Sequence, residues 1–211
     1  MSDNARNLTP TDALLRREHR ESLLRQRGCV VWMTGLSGSG KSTIAREMER
    51  RLVLNSRFAY VLDGDNVRHR LNRDLGFNEH DRHENIRRVA EVARLFADAG
   101  AIAIVAFISP YRADRAEARA IAGDRNFLEV HLATSLAECE RRDPKGLYRK
   151  ARAGAIKDFT GLDAPYEAPE SPELRIDSSG RDIGACAEEI IAAMRARHLW
   201  GDLPEEGGSG I

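Results

Sequence analysis

Lysine is scarce in this 211-residue chain. Of its 33 basic side chains only Lys41, Lys145, Lys150 and Lys157 are lysine, and the other 29 are arginine. Net charge is missing too, because 33 acidic residues balance the basic ones. That excludes a general polyanion binder, including a non-specific nucleic-acid binder, since such proteins carry a basic excess. Long hydrophobic runs are absent: the longest, residues 99–108, is about half the ~20 residues that a membrane span needs. The opening MSDNARN has no apolar stretch behind it and resembles no secretory signal. The expectation is a cytoplasmic protein with no membrane partner. Cysteine is limited to Cys29, Cys139 and Cys186, odd in number, widely spaced and without a CxxC pair. This gives no zinc framework, suits a reducing compartment, and reads as three small packed residues. No internal repeat is visible. What remains, 42% hydrophobic and 31% charged, is the composition of a soluble globular protein. The length suits one domain that buries roughly 70% of its unfolded surface.

Short β-rich runs alternate with longer stretches of helical period, the pattern of an α/β fold with a parallel sheet flanked by helices. Five strands are expected at 29–34, 58–63, 101–108, 127–132 and 174–177. Helices are expected at 41–54, 81–99, 112–122, 135–142 and 182–197. Ile86, Val89, Ala90, Ala93, Phe96 and Ala97 recur at three and four residues and give the second helix one apolar face, as Ile183, Ala187, Ile190, Ile191 and Met194 do for the last. The N-terminal LLRREHRESLLRQR reads as a charge-paired helix docked at its edges, with a partner-binding arm as the alternative. Residues 143–172 lack a sustained period and hold four prolines and three glycines. Such a segment inside a compact domain is either a functional lid or a misassigned element. The expected organisation is a helical extension over 1–27, a domain over 28–200 with a mobile lid at about 143–172, and a flexible tail over 201–211.

The strongest motif is GLSGSGKS at 35–42, which fits G-x4-G-K-[ST] between an apolar strand and a helical pattern. Glycines let backbone N–H groups wrap a polyphosphate, Lys41 reaches the outer phosphates, and the Ser42 hydroxyl can ligate Mg²⁺. The following helix adds its positive N-terminal end. These features predict a P-loop NTPase fold. No NKxD guanine motif occurs, and the strand at 101–108 runs into Ser109 and Pro110 without an acidic residue. An acidic pair, Asp63 and Asp65, follows the second strand instead. In an open parallel sheet the ligand crevice lies at the carboxyl ends of the strands, so Asp63, Ser109 and the phosphate loop should converge. A carboxylate beside the γ-phosphate can organise Mg²⁺ and accept a proton from an attacking hydroxyl, which points to a small-molecule kinase. The alternative is that Asp63 and Asp65 only cap the next helix.

Beyond the acidic pair, residues 65–88 are too dense in Arg and Asn for an apolar pocket. Arg82 and Asn85, three apart at a helix start, lie together at the sheet-top end and with Arg68 could hold an anion by forked hydrogen bonds. Phe77, between Gly76 and Asn78, is placed to stack on a flat ring. Surface salt bridges are the alternative for each arginine.

DGDNVR (63–68), DLGFNEHDRHENIRR (74–88), FISPYRADR (107–115) and RDPKGLYRKARAGAIKDFTGLDAPYEAP (142–169), with GLSGSGKST, resemble the adenylylsulfate kinase family from about Gly28 to Ile183. The resemblance implies transfer of the ATP γ-phosphate to the 3′-hydroxyl of adenosine 5′-phosphosulfate, giving 3′-phosphoadenylyl sulfate for sulfate assimilation. It implies an ATP site at Gly35, Leu36, Ser37, Gly38, Ser39, Gly40, Lys41, Ser42 and Thr43, with Mg²⁺ held by Ser42 and Asp63. Asp63 would be the base. Arg68, Arg82 and Asn85 would contact the acceptor's phosphosulfate and ribose, Phe77 and Phe159 would sandwich its adenine, and Ile108 and Ser109 would line the pocket. Lys145 and Lys157 would be lid cations. Ser109 would be the candidate phosphoserine of the family, although direct in-line transfer needs only positioning and charge stabilisation. The family tends to dimerise, and functional coupling to an ATP sulfurylase follows from the same resemblance. Arg149 and the SSG at 178–180 stand apart from the family's common pattern, and both are expected to lie clear of the central motifs. The rival readings are another phosphate-loop kinase, for gluconate or a nucleoside, and a catalytically silent partner of an ATP sulfurylase. A sugar acid needs no aromatic pair, and intact Lys41, Ser42 and Asp63 speak against the silent partner.

Overall fold

The computed structural model of the chain describes residues 14–199, so the expected tail over 201–211 and the first 13 residues of the extension lie outside the described residues. Five parallel strands, β1 (Cys29–Thr34), β2 (Ala59–Asp63), β3 (Ile102–Ala106), β4 (Phe127–Leu132) and β5 (Leu174–Ile176), form one sheet in the order β2-β3-β1-β4-β5. The central strand β1, CVVWMT, is fully buried along its length, as a parallel strand covered on both faces must be. Its alternate side chains serve two cores. Cys29, Val31 and Met33 pack with α2 (Lys41–Leu54) and α8 (Ile183–Ala196) through Ile44, Met48, Ile190 and Met194. Val30 and Trp32 pack with α4 (Glu79–Asp98) and α5 (Arg112–Ala122) through Ile86, Val89, Ala93 and Ala118.

α1 (Arg17–Leu24) buries none of its residues. It is held by polar links instead. Arg20 pairs with Asp98 at 2.8 Å, and the buried Gln26 just after it exchanges hydrogen bonds with the backbone of Phe58 and donates to the carbonyl of Gly100. Those residues precede β2 and β3, so α1 sits at the end of the sheet opposite the phosphate loop.

Two short helices lack an apolar period in the sequence. α3 (Gly64–His69) buries none of its residues and starts where Asp63 accepts from the Asp65 N–H. α7 (Leu147–Arg152) lies inside the 143–172 segment and is anchored by buried Tyr148. The strand expected over 101–108 ends at Ala106, because Ser109 takes φ +39 and Pro110 has no N–H for a ladder. α4 begins two residues earlier than its period suggests, since Asn78 caps the Asp81 N–H at 2.8 Å. α6 (Leu136–Arg142) is capped by Ser135.

Candidate active site

The register places Met33 of β1, Ala106 of β3 and Asp63 of β2 in one row at the carboxyl edge of the sheet. The loop after β1 is therefore level with the acid that ends β2 and the turn that ends β3. Gly38 adopts φ +78, and a Cβ there would lie 2.8 Å from the Cys139 carbonyl of α6. The loop thus needs glycine both for its turn and for its close approach to α6. Lys41 is buried and donates to the carbonyls of Gly35 (2.8 Å) and Leu36 (2.7 Å). Burial pushes its amine down to about 8, with nearby Lys145 acting in the same direction, against the opposing pull of Asp63 and Asp65. Ser42 is half-buried at the first turn of α2 and Thr43 beside it is exposed.

Asp63 does two jobs. Its Oδ1 caps α3 by accepting from the Asp65 N–H at 3.1 Å, while its buried Oδ2 has no hydrogen-bond partner and lies 4.0 Å from the Arg46 guanidinium. Asp65 is not a second inward carboxylate. It is exposed and pairs with Lys145 of the 143–172 segment. Lys150 and Lys157 are both exposed. Ser109 is 2% exposed. Its hydroxyl accepts from the Trp32 indole N–H at 3.0 Å and donates to the Phe107 carbonyl at 3.4 Å. Ile108 beside it is half-buried.

On the acceptor side the structure joins several of the expected residues through one guanidinium. Arg82 donates through Nε to the Phe77 carbonyl (2.6 Å), through Nη1 to the Thr160 hydroxyl (2.6 Å) and through Nη2 to the Asp158 carbonyl. Arg68 donates to the Gly76 carbonyl at 2.7 Å and lies 4.4 Å from the centroid of the Phe77 ring, a cation–π contact that leaves the other face of that ring open. Phe77 is 66% exposed, as a stacking platform would be. Phe159 is only 9% exposed. It packs edge-on to Tyr148 at 4.9 Å in a small cluster with Cys139 and Leu36. Asn85 is buried and its Oδ1 accepts from Asn72 at 3.0 Å.

Sequence reasoning missed the groups that hold this edge in shape. The single Thr34 proton goes to the Ile108 carbonyl at 2.7 Å, so in the 3.0 Å Thr34–Tyr166 contact the tyrosine donates. Buried Arg115 donates to the carbonyls of Ser109 (2.7 Å) and Glu167 (2.6 Å) and pairs with Glu129 at 2.8 Å. The far end of the 143–172 segment is thereby tied to the 108–110 turn, while its near end reaches the phosphate loop through the Tyr148 hydroxyl, which donates to the Ser37 carbonyl at 3.0 Å. The expectation that 178–180 lies clear of the central motifs is corrected. The Ser178 hydroxyl donates to the Ser39 carbonyl (3.0 Å) and meets Arg142 (2.9 Å) and Thr134 (2.9 Å), because β5 delivers it beside the loop. The quoted RDPKG string contains Arg142, but nothing local ties it to residue 178.

A phosphate loop after the central strand β1, an acid ending β2 on the far side of β3, and a 143–172 segment tied to both the phosphate loop and the 108–110 turn define a P-loop small-molecule kinase. The sequence model of the family described as adenylylsulphate kinase matches residues 27–177, and the chain belongs to that family. It is 54% identical over 178 residues to the adenylyl-sulfate kinase of Prochlorococcus marinus, covering 83% of this chain and 89% of that protein. It is also 54% identical over 195 residues to the bifunctional enzyme NodQ of Azospirillum brasilense, where the match covers 92% of this chain and 32% of the relative. Among solved structures, the Mycobacterium tuberculosis APS kinase CysC in complex with AMPPNP and APS superposes with a TM-score of 0.78 at 53% identity, covering 80% of this chain and 98% of that one.

Proposed function

We propose that this chain transfers the γ-phosphoryl group of ATP to the 3′-hydroxyl of adenosine 5′-phosphosulfate, giving 3′-phosphoadenylyl sulfate. The observation that carries the reading is the buried Oδ2 of Asp63, which has no hydrogen-bond partner and stands level with the loop after β1 and the turn after β3. A buried carboxylate oxygen without a hydrogen bond is costly, and the Arg46 guanidinium, 4.0 Å away and 65% exposed, leaves room for a proton donor or a cation there.

In this reading the loop N–H groups cradle the ATP phosphates, and Lys41 exchanges the carbonyls of Gly35 and Leu36 for the outer phosphates. The acceptor's adenine lies on the open face of Phe77, with Phe159 on the lid side. Arg68, Arg82 and Asn85 hold its phosphosulfate and ribose. The 3′-oxygen attacks the γ-phosphorus in line, the bond from that phosphorus to the β–γ bridging oxygen breaks, ADP leaves, and the hydroxyl proton passes to Asp63 Oδ2. Ser109 takes no phosphoryl group in this route, because its hydroxyl is already engaged by Trp32 and the Phe107 carbonyl. Lys145 and Lys157 supply positive charge from the lid over 143–172.

Mg²⁺ fits the same residues. Among the described residues no cluster of three or more His, Cys, Asp or Glu is placed to hold a metal alone; in kinases Mg²⁺ is bound by one or two protein groups together with the nucleotide phosphates. The Ser42 hydroxyl would ligate it directly, and Asp63 would hold it through its bound waters, which leaves Oδ2 free to accept the proton. When bound it would neutralise charge developing on the transferring phosphoryl group.

The three cysteines are free and buried, in keeping with work in the cytoplasm, and none of the described helices is long and apolar enough to cross a membrane. The partner readings are a homodimer and functional coupling to an ATP sulfurylase, and the match to a bifunctional relative supports coupling to a second activity. An ADP-release assay with adenosine phosphosulfate against AMP, gluconate and cytidine tests the assignment. Release is expected with adenosine phosphosulfate, and release stimulated only by another acceptor would sink it.

A further inference from the structure

Arg82 reaches further than an anion-binding arginine needs to. Its Nε donates to the carbonyl of Phe77, while Nη1 and Nη2 donate to the hydroxyl of Thr160 and the carbonyl of Asp158. It therefore grips the two residues that flank Phe159 and the backbone of Phe77 at the same time. A guanidinium carries five N–H donors. Three are spent here, and one on each terminal nitrogen remains for an anion. Strut and anion clamp are compatible in one side chain.

The lid end of this strut is preformed. The Asp163 carboxylate accepts from the N–H groups of Asp158 (2.8 Å) and Phe159 (2.5 Å), and Thr160 forms a β-bridge with Ala164. Thr160 is 3% exposed, so its hydroxyl is a fixed acceptor. The Phe77 end is not preformed by burial, since that ring is largely exposed. The loop carrying it is anchored at Gly76 by the Asp81 carboxylate, which accepts from the Gly76 N–H at 2.8 Å, and the Arg82 and Arg68 bonds to the carbonyls of Phe77 and Gly76 fix the rest.

We infer that Thr160 is a positioning residue for the acceptor. Its hydroxyl fixes the plane of Arg82, which sets the span between Phe77 and Phe159 and the direction of the two N–H groups left for the anion. The inference rests on the reading of this site as the adenosine phosphosulfate site. A threonine that merely filled the lid turn would matter for its volume, whereas this role belongs to the hydroxyl.

Thr160→Val keeps the shape and removes the acceptor oxygen, and Thr160→Ser keeps the oxygen. Steady-state ADP release by the full chain should show the KM for adenosine phosphosulfate raised roughly tenfold in Thr160→Val, the loss expected for one hydrogen bond to a charged group. The KM for ATP and kcat should stay within about twofold, and Thr160→Ser should return the acceptor KM to near wild type. An unchanged acceptor KM in Thr160→Val, equal changes in both KM values, or a Ser variant as impaired as Val would each overturn the inference. Should the wild-type chain release no ADP with this acceptor, the reading of the site falls, and hydrogen exchange of the ligand-free protein decides the strut. Faster amide exchange at 76–78 in Thr160→Val, across the gap from the substitution, supports it, and unchanged exchange there overturns it.

Discussion

The indole N–H of Trp32 donates to the hydroxyl of Ser109 at 3.0 Å, joining the centre of β1 to the turn that follows β3 in a fully buried contact. That bond engages a lone pair a nucleophilic serine would need. The buried histidine of the sheet, His131, cannot serve as its base. It sits on β4 with β1 between it and β3, and burial, helped by Arg175 and Arg115, pushes it down to about 4. Ser109→Ala is accordingly expected to keep substantial turnover. It should lose about 1–3 kcal/mol of stability, because the indole N–H is left without a partner. Steady-state kinetics and urea unfolding measure the two effects. Abolished turnover with acceptor affinity intact would favour a phosphoserine route instead.

Lys41 gives a pH signature. Its amine is pushed below the usual lysine value to about 8 by burial, so between that value and the unfolded value the unfolded chain binds more protons than the folded one. Stability from this group therefore rises as pH goes from about 8 towards 10.5, by an amount on the order of 3 kcal/mol. Lys41→Met removes the titration. Its stability advantage over wild type in urea unfolding should shrink steadily across that window, and its turnover should be lost at every pH. A difference independent of pH would show that Lys41 is not desolvated in solution.

His83 works in the opposite sense. Its Nδ1 lies 2.7 Å from Asp114 Oδ1 on α5 and its Nε2 lies 3.4 Å from Glu117. The Asp114 hydrogen bond raises its pKa above the usual histidine value, with Glu117 and its neighbour Glu84 adding to the effect. A raised folded pKa stabilises fully below about 6.5 and is lost as pH climbs through the folded value. His83→Gln should lower the thermal midpoint more at pH 6 than at pH 8.5. Equal losses at the two pH values would remove the charge-based account.

Much of this architecture is legible in the chain because burial dictates local pattern. The run CVVWMT and the three-and-four spacing of Ile86, Val89, Ala90, Ala93 and Ala97 mark β1 and α4 without any tertiary knowledge. Short elements held by tertiary contacts are not legible. α3 carries no apolar face and depends on the Asp63 cap, and α7 is secured by Tyr148 against Phe159 and Ser37. In the site, the spacing of Lys41 and the placement of Asp63 could be read directly. The bond from Arg82 to Thr160 spans 78 residues, and no local pattern records it.

Ser178 shows the same limit and yields a further test. Its hydroxyl donates to the Ser39 carbonyl and accepts from Arg142 and Thr134, which uses its one donor and both acceptor sites. Ser178→Ala takes one hydrogen bond from each of these three partners around the phosphate loop. A loss of about 1–3 kcal/mol in stability is expected, together with a raised KM for ATP and an unchanged KM for the acceptor. A rise confined to the acceptor KM would contradict the placement of Ser178 behind the ATP loop.

Phe77 separates binding from folding. Its ring is 66% exposed and rests on Arg68, so truncation removes little buried area. Phe77→Ala should leave the urea midpoint nearly unchanged while weakening acceptor binding by ~1–3 kcal/mol, the range for a base stacked on an aromatic ring. Affinity for ATP should not move, because the hydrogen bonds that fix this loop run to Arg68, Asp81 and Arg82 and not to the phosphate loop. Isothermal titration with each nucleotide distinguishes the cases. Equal weakening of ATP and acceptor would mean that Phe77 acts on the whole crevice and not as a platform for the acceptor's adenine.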